Sequence, residues 1–91
     1  VSWEPDPTRR DGDTFERTQI GDVRIMLHTT TGGGITRYYL IGYRETWSPT
    51  REVKMTITCA GRPSGSTVRA LAQLVEAAFE AMGEHFPSGR A

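Results

Sequence analysis

Along residues 23–31, VRIMLHTTT, the side chains alternate: Val23, Ile25, Leu27 and Thr29 fall on one side, Arg24, Met26, His28 and Thr30 on the other. A period of two sends successive side chains to opposite faces of a pleated strand, so this is the strongest strand signal in the chain. A shorter alternating run, DTFERTQI at 13–20, precedes it, and the intervening Gly21-Asp22 pair is a hairpin signal. Gly32-Gly33-Gly34 then predicts a flexible hairpin tip, with a mobile contact loop as the functional alternative. Residues 35–47, ITRYYLIGYRETW, predict a long third strand with a bulge near Gly42. Parity leaves its buried face open. Ile35, Tyr39, Ile41, Tyr43 and Trp47 share one side, and Tyr38, Leu40, Arg44 and Thr46 share the other. After a Ser48-Pro49-Thr50 turn, EVKMTITCA at 52–60 predicts a fourth strand, with Val53, Met55, Ile57 and Cys59 inward and Lys54, Thr56 and Thr58 outward.

Beyond the GRPSG loop at 61–65 the period changes. Val68, Leu71, Val75, Ala78 and Met82, flanked by Ala72 and Phe79, recur at helical spacing. A helix is expected from about Thr67 to Met82, with Ser64 or Ser66 as its N-cap and Gly83 as its stop. Residues 1–12 contain Pro5 and Pro7, which block regular pairing, so they read as a flexible N-terminal arm with Trp3 as its anchor. Pro87, Ser88 and Gly89 make 87–91 a loose tail. Residues 13–86 then form a single α+β domain: a four-stranded antiparallel β-meander with one C-terminal α-helix packed on one face (β-β-β-β-α). The second face of the sheet is left uncovered, as antiparallel sheets allow.

Size sharpens this picture. A chain of 91 residues is one domain with a modest core, which makes a homodimer a reasonable way to bury more apolar surface. The single cysteine, Cys59, cannot form an internal disulfide and falls on the inward face, where a thiol is inert. That usage, together with the lack of a bilayer-length apolar run or a secretory h-region, is the basis for expecting a cytoplasmic protein that makes no membrane contact.

Formal net charge is zero, from 11 basic and 11 acidic residues. This balance argues against strong non-specific nucleic-acid binding, which depends on phosphate neutralisation. The charge is patterned nonetheless: residues 1–16 and 70–91 are net acidic, and 17–69 are net basic. All but Lys54 of the basic residues are arginines, which suits either a GC-rich codon usage or bidentate anion contacts.

Four groups of residues could carry function. Parity places Arg24, His28 and Lys54 on the open sheet face, joined by Arg17 and by Arg44 or Arg37. Aromatic surface comes from Tyr38 or from the Tyr39, Tyr43 and Trp47 set. Such a face can bind a protein, stack and neutralise single-stranded nucleic acid, or simply be solvated with its arginines paired to Glu16, Asp22, Glu45 and Glu52. In element order alone, the expected topology resembles the dimeric single-stranded-DNA-binding fold of the Whirly type. Second, Arg62, Ser66 and Thr67 at the glycine-containing entry to the helix form an anion-site candidate, against ordinary helix capping. The spacing excludes a Walker A loop, since no lysine precedes Ser66. Third, Ala70, Leu74, Ala77 and Ala81 share one helix shoulder and are dimer-contact candidates, against alanine serving only as a helix former. Fourth, His28, His85 and Cys59 offer nucleophile, base or ligand chemistry, but they form neither a catalytic constellation nor a metal-ligand spacing. The sequence therefore reads as a non-catalytic interaction module without cofactor or metal, of adaptor, inhibitor or immunity type. Its expected partner is a protein, with the chain acting as a homodimer; single-stranded nucleic acid is the alternative partner.

Overall fold

A computed structural model describes residues 1–7, 12–47 and 50–85. Its elements are β1 (Glu4–Pro5), β2 (Asp13–Ile20), β3 (Val23–Gly32), β4 (Ile35–Trp47), β5 (Thr50–Cys59) and α1 (Gly65–His85). The strands form one antiparallel sheet in the order β1-β2-β3-β4-β5, with α1 packed on one face. The α+β class and the C-terminal helix match expectation; the strand count does not, because the sheet has five strands rather than four. The extra strand is β1, which pairs Glu4 with Arg17 and Pro5 with Glu16. Just beyond it, the Asp6 N–H donates to the Phe15 carbonyl at 2.8 Å. An edge position is where a sheet tolerates proline, so Pro5 does not prevent this pairing. Trp3, the expected anchor, packs against the core. Residues 8–11 of the arm and the 87–91 tail lie outside the described residues.

Two tight hairpins set the register of the meander. Ile20 pairs with Val23, leaving Gly21-Asp22 as a two-residue turn with Gly21 at φ +60°. Gly32 pairs with Ile35 across Gly33 (φ +59°) and Gly34 (φ +77°). Positive φ at these positions matches the right-handed twist of the flanking strands and favours glycine.

The register also settles the parity of β4. Leu27 lies opposite Leu40, and Ile25 opposite Gly42, so Tyr38, Leu40, Gly42, Arg44 and Thr46 share the helix-facing side. Gly42 pairs regularly with Ile25 and Met55, and no bulge interrupts the strand there. Its use is close approach. A Cβ at this position would lie 3.1 Å from Leu71 Cγ and Cδ2 and 3.2 Å from Val75 Cγ2. The core is thus a two-layer contact of Val23, Ile25, Leu27, Leu40 and Val53 from the sheet with Val68, Leu71, Ala72, Val75 and Phe79 from the helix. Complete burial of a Val, Leu, Ile or Phe side chain contributes about 1.5–3 kcal/mol, so these residues dominate the stability of the domain.

Ser64, rather than Ser66, caps the helix: its Oγ accepts from the Thr67 N–H at 3.3 Å, and its carbonyl accepts from the Val68 N–H at 3.1 Å. Gly83, read as the stop, lies within the helix, which continues to His85. Cys59 is half-buried at the margin of the core rather than at its centre.

Candidate contact surface on the open sheet face

The side chains opposite the helix form ordered cross-strand rows. One runs Phe15–His28–Tyr39–Thr58, the next Arg17–Met26–Ile41–Thr56, and the third Gln19–Arg24–Tyr43–Lys54. The first row is a continuous ring contact. Phe15 and His28 stack with centroids 4.3 Å apart and planes 13° apart, and Tyr39 tilts against His28 at 5.8 Å. His28 Nε2 sits 3.5 Å from Asp13 Oδ2 without a hydrogen-bond partner. Met26, Ile41 and Tyr43 extend this surface, each half-buried by its neighbours and covered by no other element among the described residues. An apolar and aromatic centre therefore lies where a solvated sheet would carry polar side chains.

Among the described residues, charges of both signs surround that centre. Arg17, Arg24, Arg37 and Lys54 share the face with Glu4, Asp13, Glu45 and Glu52. Arg24 approaches Glu45 at 3.8 Å with both side chains mostly exposed, a contact worth about 0–1 kcal/mol. At the β1 end, Glu4, Asp6, Arg17, Arg24, Met26 and Tyr43 line an open hollow of about 450 Å³. Arg24, His28, Arg37 and Lys54 thus lie together on the open face. Trp47 occupies the last position of β4, and its side chain lies outside the described residues.

Arg44 and Tyr38 do not belong to this surface. Both lie on the helix side, where Tyr38 packs against the core. The Arg44 Nη1 donates to both carboxylate oxygens of Glu76, at 2.7 and 2.6 Å, and Nη2 reaches Asp22 at 3.4 Å. Its guanidinium also lies 4.2 Å from the Phe79 ring centroid, with Arg51 on the same ring at 3.9 Å. Arg44 ties the helix to the sheet, and the i, i+4 pair Glu76 and Glu80 on one helix shoulder was the signal for it: Glu80 also comes within 4.0 Å.

The anion-site candidate is internally neutralised. Arg62 forms a bidentate pair with Glu16, Nη1 to Oε2 at 2.7 Å and Nη2 to Oε1 at 2.9 Å. That hydrogen bond holds the Glu16 carboxyl below its ordinary value against an opposing effect of burial, and it raises Arg62. Arg62 also lies 5.9 Å from the Trp3 ring. Ser66 and Thr67 place their hydroxyls against Ser64 Oγ, at 3.0 and 3.1 Å. This corner fastens the chain's first residues to the helix entry. Ala70, Leu74, Ala77 and Ala81 are all exposed on the shoulder away from Glu76. Among the described residues, no His, Cys, Asp and Glu cluster could hold a metal ion, and no helix is long and apolar enough to cross a membrane.

The chain matches no protein-family model, no curated protein and no solved structure.

Proposed function

We propose that this protein is a non-catalytic binding module that engages a protein partner through the uncovered face of its sheet. One observation carries the reading: the Phe15–His28–Tyr39 contact row, widened by Met26, Ile41 and Tyr43, lies inside a rim of balanced charge. Protein interfaces have this anatomy, with aromatic side chains, Met and Arg enriched at a desolvated centre and polar groups around it. A nucleic-acid surface needs net positive charge to neutralise phosphates, and the described acidic residues of this face are at least as numerous as its basic ones. The hollow beside Arg17, Arg24 and Tyr43 suits an anchoring side chain from the partner.

The test is a comparative capture. The Met26→Asp/Tyr39→Ala variant and a Leu74→Asp control are used as baits beside the unaltered protein, and any differentially retained protein is then purified for calorimetry. Affinity for that protein falls by at least about tenfold in the face variant, the scale of losing one interface hot spot, and stays unchanged in the control. Equal affinity in the face variant contradicts the proposal. So does steeply salt-dependent binding of a fluorescent oligonucleotide with no retained protein.

A further inference from the structure

The outer edge of β5 is a second surface, distinct from the open face. β5 is ten residues long and, among the described residues, pairs on one side only, with β4. An edge this long presents a row of unpaired N–H and C=O groups and is a template for another strand. At the opposite edge, β1 partly covers β2.

Charge along β5 makes one occupant fit. Glu45 on β4 lies directly opposite Glu52 on β5, a like-charge pair that destabilises the sheet. Glu45 has Arg24 within 3.8 Å. Glu52 and Lys54 are both exposed on the same face, two residues apart. Directly opposite residues of an antiparallel pair lie on the same face. When a strand pairs antiparallel with its own copy, the residues on either side of the central one become cross-strand neighbours. Centred on Val53, that register sets Lys54 of each copy against Glu52 of the other. It supplies Glu52 with the cation that its own sheet lacks opposite it. A register centred on Lys54 would instead oppose two lysines. A lone lysine on an edge normally guards against pairing; here Glu52 is its complement.

We infer that two copies of this chain join edge to edge through β5, antiparallel and centred on Val53, with reciprocal Lys54–Glu52 pairs. The sheet then runs continuously across both copies with the two helices on the same side. On the helix side of β5, Ile57 is 36 % exposed and adds apolar surface beside that seam. This inference concerns the edge, and it stands whether or not the open face binds a protein.

Charge reversal tests it in the full chain. Light scattering and sedimentation should show a dimer of the unaltered protein. Lys54→Glu alone and Glu52→Lys alone each weaken self-association roughly thirtyfold, because two attractive cross-strand pairs become two repulsive ones. An equimolar mixture of these two variants restores a dimer, and so does the double variant Glu52→Lys/Lys54→Glu. Circular dichroism confirms that each variant is folded. A monomeric unaltered protein overturns the inference, as do single variants that associate normally or a mixture that stays monomeric. Loss of the protein partner from the open face leaves these readouts unchanged.

Discussion

At the scale of single residues, the arginines divide by what they face. Arg44 and Arg62 are held by carboxylates on the helix side of the sheet, whereas Arg17, Arg24 and Arg37 share the open face with aromatic rings. The Arg62–Glu16 pair makes part of the stability depend on pH. The Glu16 carboxyl is lower in the folded state than in the unfolded chain, chiefly through the Arg62 hydrogen bond. The unfolded chain then binds more protons in the acid range. The stabilisation is complete above the ordinary glutamate value, near 4.3, and is lost as pH falls through the lower folded value. Both side chains are partly exposed, so Arg62→Ala should cost about 0.5–1 kcal/mol at neutral pH. Urea titrations at a series of pH values should show the two proteins converging as the solution is acidified. A gap that stays constant down to strongly acid pH would contradict the pairing. Parity in the sequence placed Arg24, His28 and Lys54 correctly, because 23–31 and 52–60 each have one clearly apolar side. It could not place Arg44 and Tyr38, since both sides of 35–47 carry apolar or aromatic residues. Only the register against Leu27 and Ile25 decides between them.

At the scale of elements, β2 to β5 were legible from alternation and turn chemistry, and α1 from its apolar stripe. β1 was not, because a two-residue edge strand has no period and contains a proline. Gly42 looked like a bulge because glycine inside a strand marks either a bend or a close approach, and local sequence does not separate the two. The helix crossing above it explains its presence. Gly42→Leu should therefore force α1 away from β4, against Leu71 and Val75, at a cost of about 1–3 kcal/mol. The gain in strand propensity offsets this only in part. Thermal unfolding of this variant should begin at a lower temperature than that of the unaltered protein. An unchanged or higher midpoint would show that the helix does not sit this close to the strand.

At the scale of the whole molecule, the described residues form one helix that covers one face of a five-stranded sheet and leaves the other to its surroundings. The covered face packs internally: its core is apolar, Arg44 and Arg62 meet Glu76, Asp22 and Glu16, and Arg51 lies over the Phe79 ring with its buried Nε unpartnered among the described residues. The uncovered face holds apolar and aromatic side chains that no other described element shields. Hydroxyl-radical footprinting measures this contrast directly, because methionine and tyrosine oxidise where solvent reaches them. In the free protein, Met26, Tyr39 and Tyr43 should be oxidised while Phe79 is spared. With the partner bound, those three should become protected and Leu74 should not. Protection of Met26, Tyr39 and Tyr43 in the free protein, or their undiminished oxidation in the complex, would contradict the assignment of this face as the contact surface.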